Sequence, residues 1–473
     1  MNAATPAVEV PKTAVGRFLA GVEKWTIVTI IALMALLPTV EVIVRKVFHT
    51  GIPGSALYVQ HLTLWVGFLG ALLATGAGKH LALATGELIP EGKFRHFARI
   101  AVNSLSAGVC MVLAYASYKL VQADTARAGF LPGGIPEWWS EAIMPVALVL
   151  VSLRFAWRAS DKWPGRVIAL VVIVLCCSIG KLESHASQLV WPGVGVILIG
   201  VMLGTPVFVA MAGIAMLLFF GEGTAIASVP TETYRLVASP TLPAIPLLTA
   251  AGYILAEGGA SKRLVRLARA FVGWMPGGMA VMVCLVCAGF TTFTGGSGVT
   301  ILALGGLMMP MLLEEGYPEG FSLGLVTSSG SLGLLFPPSL PVILYAVVAG
   351  ASVEELYIAG FIPCLLLVLM VAAYGVITGV KIKAPRTKFT LAEAGKSLWE
   401  SKYEIVIPLI VIVSIFTGLA TMVESAAIAV VMAVVSQSFI FKDLHPTRQL
   451  PIVIEHAATL VGAVVILLGV AMG

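Results

Sequence analysis

Charge is what this 473-residue chain has least of: only 11% of its residues are Asp, Glu, Lys or Arg, whereas 59% are hydrophobic. An ordinary soluble domain carries about 25% charged residues, so the composition excludes a soluble globular protein. The apolar runs are continuous and do not alternate with polar residues, which excludes a membrane β-barrel. Many of the runs approach the length of about 20 residues that one helical bilayer crossing needs. The sequence therefore predicts an all-α polytopic membrane protein.

Catalytic motifs are also lacking. No HExxH, paired acids or nucleophile–base spacing occurs at membrane depth, and there is no P-loop, so we predict neither an enzyme nor a cofactor. The six cysteines lie in apolar stretches, and the CxxC spacing of Cys284 and Cys287 on a hydrophobic helix indicates packing thiols and not a redox or metal pair. The excess of 29 Lys and Arg over 24 acids is too small to indicate a nucleic-acid partner.

The first third of the chain contains four apolar runs, at about 25–44, 56–78, 97–118 and 140–157. Lys and Arg concentrate before the first run, between the second and third, and after the fourth. The opposite ends carry only Arg45, Lys46, Lys119 and Arg127. The positive-inside rule therefore places the N-terminus in the cytoplasm. We predict that residues 1–160 form a four-helix membrane domain.

One solitary apolar run, at about 167–180, follows this domain. We predict that residues 161–185 are a linker transmembrane helix between two blocks. Residues 186–473 are then a second membrane domain that begins outside, with short runs broken by glycine.

A basic cluster, "SKRLVRLARAFVGW", lies within the second domain. Its cations recur at three- and four-residue spacing with apolar residues between them, which is typical of an amphipathic helix in the headgroup plane. We predict a membrane-surface arm that contacts lipids or braces the protein, formed by Lys262, Arg263, Arg266 and Arg269. Residues 391–404 are a weaker candidate of the same kind.

The stretch from 279 to 313 is apolar at both ends and rich in glycine and hydroxyls in the middle, "TTFTGGSGVT". Each apolar arm, about 12 residues, is too short to span the bilayer but suits half of a re-entrant hairpin. Irregular backbone at that depth must line protein or a water-filled cavity, and carbonyl and hydroxyl oxygens suit a hard cation such as Na⁺. The candidate ion ligands are Thr294, Gly295, Gly296, Ser297, Gly298 and Thr300. A tight surface turn, or small residues for close helix packing, is the alternative.

The stretch "SSGSLGLLFPPSLPVILYA", 328–346, interrupts a second apolar segment. Two prolines remove two amide donors and force the residues before them out of the helical conformation. A discontinuous helix results, and its ends would point dipoles and free carbonyls into the membrane, as ion-coupled transporters require. The candidate ion or substrate ligands are Ser328, Ser329, Ser331, Gly333, Pro337, Pro338 and Ser339. The alternative is a proline kink in a packing helix.

Glu424 begins another apolar run and has two interpretations. An acid at membrane depth is a functional candidate, but an acid in the first turn of a helix also stabilises that helix end. His61 and His80, near the ends of an early helix, are predicted to be interfacial or packing groups.

The order of the hairpin, "GYPEGF" and "TSSGSLGLLFPPSLPVILYAVVAG" resembles the first inverted repeat of the large membrane subunit of tripartite ATP-independent periplasmic (TRAP) transporters. "SPTLPAIPLLTAAGYILAEGGASKRLVRLARAFVGWMPGG" and "GLATMVESAAIAVVM" are similar to the same subunit. Residues 1–160, especially "WVGFLGALLATGAGKHLAL", are similar to the small four-helix subunit. The whole chain thus resembles a fused small-plus-large membrane component.

This resemblance implies a Na⁺-coupled importer in the bacterial inner membrane, in which a mobile transport domain moves against a scaffold like an elevator. It further implies a periplasmic substrate-binding protein as partner, an organic acid as substrate, and sodium as the only metal. The alternatives are an elevator-type carrier that needs no binding protein and a membrane scaffold that transports nothing.

The sequence also departs from the family pattern. Thr300 stands where the family hairpin carries an acidic residue, which shifts Na⁺ coordination onto hydroxyls and carbonyls. The family's second hairpin and second broken helix do not appear before Gly473. We therefore expect either a longer natural protein or a half-site protein that needs a partner chain.

Overall fold

The computed structural model of the chain describes residues 14–83, 86, 90–127, 129–180 and 186–473. The last five residues of the predicted linker, 181–185, lie outside the described residues. Contacts divide the chain into two units. Unit 1 contains residues 31–52 and 241–457, and unit 2 contains 53–240, 458–473 and the described residues up to 30. The domain boundaries predicted from the sequence stay a prediction.

The first part of the chain is helical apart from one short hairpin. Its elements are α1 (Ala14–Phe48), α2 (Ser55–Ala77), α3 (Lys93–Arg127), β1 (Phe130–Leu131), β2 (Ile135–Pro136), α4 (Glu137–Glu141), α5 (Ile143–Arg158), α6 (Trp163–Ile179), α7 (Ala186–Met202), α8 (Val207–Gly221) and α9 (Ser228–Val237). The two strands pair antiparallel across Gly133 and Gly134, a feature that the apolar runs did not predict.

All the regular elements of the remainder are helices. Its elements are α10 (Ala244–Glu257), α11 (Ala260–Val272), α12 (Gly278–Thr294), α13 (Ser297–Glu314), α14 (Glu319–Leu332), a 3₁₀ turn (Gly333–Leu335), α15 (Leu340–Ala349), α16 (Val353–Lys381), α17 (Leu391–Glu400), α18 (Lys402–Phe416), α19 (Met422–Val434), a π-helical turn (Val435–Ile440) and α20 (Leu450–Met472). By length and composition, eight helices of the described chain could cross a membrane, or nine if α14 and α15 count as one broken span.

The predicted all-α membrane fold is confirmed. Each apolar run in the first third became one long helix or, for the fourth run, the α4–α5 pair, because a continuous apolar stretch can satisfy its backbone in lipid only as a helix. The hairpin arms are longer than the sequence predicted: α12 has 17 residues and α13 has 18. The helical pattern continues past the apolar core of each arm, so α13 alone is a candidate membrane span.

Close backbone contact joins α2 to the second half of α20 within unit 2. A Cβ on Gly70 would lie 3.0 Å from the Cα of Gly462, and a Cβ on Gly462 would overlap the backbone of Gly70 and Ala71. A Cβ on Gly67 would lie 2.9 Å from a methyl of Val465, one turn further along. Small residues at such spacing let two membrane helices approach closely, and dispersion contacts then hold them together.

Candidate ion and substrate site

Helices α12 and α13 form a hairpin whose tip is Gly295 and Gly296. Gly295 has φ 64°, a left-handed conformation that glycine adopts without steric cost, and Gly296 is extended. The sulfur atoms of Cys287 and Met308, on opposite arms, lie 3.6 Å apart. Because these positions are on either side of the tip, the two arms run antiparallel in contact with each other.

Helices α14 and α15 form the broken helix. A single 3₁₀ turn and a proline pair separate them, and their axes differ by 45°. The bond between Pro337 and Pro338 is cis. Neither proline can donate an amide hydrogen bond, and the residue before each is excluded from the helical conformation, so the helix stops where the sequence predicts.

Side-chain donors, two of them on helix α16, hydrogen-bond to backbone carbonyls at the break. The hydroxyl of Ser339 donates to the carbonyl of Leu334, and the hydroxyl of Tyr357 donates to the carbonyl of Ser339 at 3.0 Å. The thiol of Cys364 donates to the carbonyl of Leu332 at 2.9 Å. Free carbonyls at the end of α14 thereby obtain donors from side chains, which is how a buried helix end avoids unpaired backbone groups.

The hairpin tip packs directly against the break. A Cβ on Gly295 would overlap the side chain of Leu340, the first residue of α15. A Cβ on Gly333 would overlap the carbonyl of Ala288 on α12. Both glycines are therefore required by the closeness of the two elements, and four helix ends meet at this contact.

A buried cluster of threonine hydroxyls lies just below the tip. The Oγ1 atom of Thr291 is 2.9 Å from Oγ1 of Thr300, 2.9 Å from the carbonyl oxygen of Gly330 and 2.7 Å from that of Cys287. The hydroxyls of Thr294 and Thr300 are also 2.9 Å apart. Each hydroxyl supplies one proton. The three hydroxyl protons are fewer than the four close oxygen–oxygen contacts. At least one of these contacts therefore has no proton between its oxygen atoms.

The residues predicted for the hairpin tip are only partly gathered into this cluster. Thr294 and Thr300 are fully buried members of it, Gly295 and Gly296 form the turn above it, Ser297 begins α13, and Gly298 is exposed.

The residues predicted for the broken helix divide similarly. Ser329 is buried, with its hydroxyl donating to the sulfur of Cys284 on α12 at 3.5 Å. Gly333, Pro337, Pro338 and Ser339 form the break itself, whereas Ser328 and Ser331 are exposed and lie outside the hairpin contact.

Sequence reasoning missed Thr291, which makes the contact between the hairpin and Gly330 of α14. A signal for it was available. Thr291 stands three residues before Thr294, one helical turn away, so both hydroxyls face the same side of α12. The predicted ligands began only at Thr294, although the quoted interruption begins at Thr291, and α12 continues through Thr294.

Arg263 of the arm helix α11 forms a buried cluster of polar contacts within unit 1. Its guanidinium donates to Oε1 of Glu404, Oδ2 of Asp443 and Oε1 of Gln437, each at 2.7 Å, and stacks 3.7 Å from the ring of Phe441. Only 12% of the side chain is exposed. The sequence predicted that the four cations of this helix contact lipids or brace the protein, and the Arg263 side chain is turned into the protein.

The other arm cations are more exposed. Arg266 pairs with Glu400 of α17, and Arg269 lies 3.9 Å from a carboxylate oxygen of Glu315. Lys262 is exposed. Contact of the arm with lipid headgroups therefore stays a prediction, carried chiefly by Lys262.

Glu424 caps helix α19. Its backbone amide donates to the hydroxyl of Thr421 at 3.2 Å, and its carboxylate accepts from the amide of Thr421 at 2.8 Å, a reciprocal capping box. The same carboxylate pairs with Arg45 at 2.8 Å. The helix-end interpretation thus describes what Glu424 contacts.

His80 packs between aromatic rings in unit 2. The Thr75 hydroxyl donates its proton to the carbonyl of Ala71. Its Oγ1 therefore accepts a hydrogen bond from Nε2 of His80 at 2.7 Å. The rings of Phe208 and Phe155 have centroids 4.8 and 6.0 Å away. Burial lowers the pKa of His80 to about 4, so the imidazole is neutral at pH 7.

Two family models match this chain in succession. Residues 34–165 match the DctQ component of the tripartite ATP-independent periplasmic transporters, and residues 194–472, more than half of the chain, match the DctM component. The chain belongs to the TRAP transporter family. The resemblance seen in the sequence is confirmed, including the fusion of the two membrane components in one chain.

Curated TRAP permeases are similar to this chain. The isethionate TRAP transporter permease protein DctMQ of Oleidesulfovibrio alaskensis is 30% identical over 411 residues, which cover 85% of this chain and 64% of that protein. The sialic acid TRAP transporter permease protein SiaT of Haemophilus influenzae is 27% identical over 90% of this chain and 73% of that protein. The C4-dicarboxylate TRAP transporter large permease protein DctM of Vibrio cholerae is 31% identical over 56% of this chain and 60% of that protein. The relatives are permeases and not enzymes, as the sequence predicted.

This chain spans less than two thirds of the TRAP permeases of V. cholerae and O. alaskensis, at 60% and 64% of their lengths. Within the TRAP family, the hairpin α12–α13 and the broken helix α14–α15 both fall in the DctM part of the chain.

Proposed function

We propose that this chain is the membrane component of a Na⁺-coupled importer of an organic acid, in the bacterial inner membrane with its N-terminus in the cytoplasm. A periplasmic binding protein delivers the substrate, and an elevator movement carries it across. Membership of the TRAP family supports the general class. The named substrates of the relatives, C4-dicarboxylates, isethionate and sialic acid, support an organic acid as substrate.

The observation that carries the proposal is the meeting of four helix ends. The C-terminal ends of α12 and α14 come together, since the carbonyl of Gly330 contacts Thr291. A helix C-terminus carries partial negative charge, so two such ends favour a cation between them. The N-terminal end of α15 also meets the hairpin tip, because Leu340 contacts Gly295, one residue before the N-cap of α13. The free amides and positive dipole ends of these two helices favour a carboxylate.

The threonine cluster supports Na⁺ as the coupling ion. Hard cations take oxygen ligands, and this cluster presents three hydroxyls and two carbonyls with too few protons for all their contacts. Within the described part of the chain, no aspartate or glutamate is hydrogen-bonded to it, so the negative helix ends are its main source of negative potential. Thr291, Thr294 and Thr300 are therefore the proposed ligands, together with the carbonyl of Gly330.

Thr300→Val is expected to weaken Na⁺ binding at least tenfold, because valine keeps the shape of threonine and removes one ligand oxygen. The measurement is the thermal midpoint of the purified protein in detergent, titrated with NaCl against KCl at constant ionic strength. A ligand that binds only the folded state raises the midpoint by mass action, so the wild-type midpoint should rise with Na⁺ and that of Thr300→Val should rise only at much higher Na⁺.

Thr327→Val is the matched control. Thr327 is an exposed threonine on α14 whose hydroxyl bonds only within its own helix, to the carbonyl of Leu323. Its Na⁺ titration should equal that of the wild type. Ser297→Ala at the tip should also shift the titration, whereas neutralising Lys262 should leave it unchanged. Equal responses of Thr300→Val and Thr327→Val would remove the cluster from the ion site.

Transport itself is tested with the full-length protein in liposomes. An inward Na⁺ gradient and the periplasmic binding protein encoded beside it should together drive uptake of a labelled organic acid, and either alone should not. Full uptake without the binding protein would instead support a carrier that works alone. No measurable Na⁺ binding and no uptake of solute under a Na⁺ gradient would leave only the scaffold interpretation.

A further inference from the structure

A large apolar cavity lies within unit 1, between α16 and α18 and above α12. Its volume is about 800 Å³, in the range of about 300–1,000 Å³ typical of ligand pockets. Almost all of its walls are aliphatic or aromatic. Thr291, Thr294 and Thr300 do not line it, but it adjoins the candidate ion site, because Thr292, Phe293 and Pro337 do.

The cavity is elongated. On α18 its lining runs from Glu404 to Phe416, and on α16 from Tyr357 to Val368. At a rise of 1.5 Å per residue these stretches are about 18 and 16 Å long. One leaflet of the hydrocarbon core is about 15 Å thick, half of the bilayer's about 30 Å. The slot thus has the length of an acyl chain within one leaflet.

One acidic side chain stands at one end of the slot. Only 1% of the Glu404 side chain is exposed. Both of its hydrogen bonds, from Arg263 and from Gln437, are accepted by Oε1. Its Oε2 has no hydrogen-bond partner in the described chain. Because the terminal torsion of glutamate is broad, a small rotation of the carboxylate turns Oε2 to the cavity. A buried carboxylate oxygen without a donor is costly, so an occupant that supplies one gains affinity.

The net charge around Glu404 indicates which kind of hydrogen-bond donor the occupant carries. The cluster around Glu404 contains one guanidinium, that of Arg263, and two carboxylates, those of Glu404 and Asp443. It therefore carries an excess negative charge, which disfavours an organic anion and favours a cation. Glu404 lies in the first turn of α18, just after the basic and amphipathic segment 381–402, the part of the chain suited to headgroup depth.

We propose that this slot binds a phospholipid with a primary ammonium headgroup, whose acyl chain lies along α16 and α18 and whose ammonium donates to Oε2 of Glu404. The lipid proposal is argued from the cavity and Glu404 and does not rest on the proposed import of an organic acid.

A comparison of phosphatidylethanolamine with phosphatidylcholine of the same acyl chains distinguishes this proposal from non-specific binding of lipid to an apolar surface. Both headgroups are zwitterionic, but the quaternary ammonium of phosphatidylcholine has no N–H to donate. Native mass spectrometry of the delipidated full-length protein should give a dissociation constant at least tenfold lower for phosphatidylethanolamine. Equal affinities for the two lipids would overturn the proposal, as would preference for an anionic lipid or a fatty acid.

Three further variants locate the lipid. Leu365→Trp fills the slot and should reduce phosphatidylethanolamine binding at least tenfold, whereas Leu366→Trp, on the neighbouring exposed position outside the slot, should not. Glu404→Gln should bring the affinity for phosphatidylethanolamine to that for phosphatidylcholine. If Glu404→Gln does not fold, the two leucine variants still decide, and equal binding by both would place the lipid elsewhere.

Discussion

Replacing Gly462 with leucine is expected to lower the thermal midpoint of the protein by about 10 °C, equivalent to about 3 kcal/mol or more of folding free energy. A Cβ at Gly462 overlaps backbone atoms of Gly70 and Ala71, and backbone, unlike a flexible side chain, cannot move aside alone. Helices α2 and α20 must therefore separate, and the dispersion contacts along the crossing are lost because lipid offers no hydrophobic drive to restore them. The measurement is the fraction that remains monodisperse in detergent after heating.

Gly195→Leu is the matched control for this prediction. Gly195 lies in the apolar helix α7, and a Cβ there would meet no atom within 4 Å. Leucine has a higher helix propensity than glycine by up to about 1 kcal/mol, so this variant should be as stable as the wild type or slightly more stable. A similar loss of stability in both variants would show that the cost comes from glycine's backbone and not from the α2–α20 crossing.

This crossing also shows how far the sequence could be interpreted. The helices follow from continuous apolar runs, and the break follows from Pro337 and Pro338, because both effects are local to a few residues. Nothing local connects Gly70 to Gly462, which are almost 400 positions apart. Their small size was visible, but small residues are frequent in membrane helices, so spacing alone could not select the pair.

The candidate ion site could also be predicted only in part from the sequence. Glycine and hydroxyl composition located the hairpin tip and the break, and the structure brings these two elements into contact. Composition could not say which hydroxyls turn inward. Thr291 is buried, whereas Ser328 and Ser331 are exposed, because that choice depends on how α12 and α14 face each other.

Arg263→Ala is expected to destabilise the protein by about 3–5 kcal/mol, because it leaves the carboxylates of Glu404 and Asp443 without their shared cation. Removing one partner of a buried ion pair costs more than the pair contributes, since the remaining charges stay desolvated. Gln437, in the π-helical turn, loses its acceptor role at the same time. Thermal unfolding in detergent, followed by intrinsic fluorescence and by loss of the monodisperse peak, measures the effect.

Arg266→Ala tests whether burial or mere charge on α11 is responsible. Arg266 lies one turn from Arg263 on the same helix and also pairs with an acid, Glu400, but its side chain is 59% exposed. An exposed pair contributes about 0–1 kcal/mol and is screened by salt. Arg266→Ala should therefore be nearly neutral, and 0.5 M NaCl should remove its small effect while leaving that of Arg263→Ala almost unchanged. Equal losses in the two variants, both reduced by salt, would mean that α11 acts through its surface charge and not through the buried guanidinium.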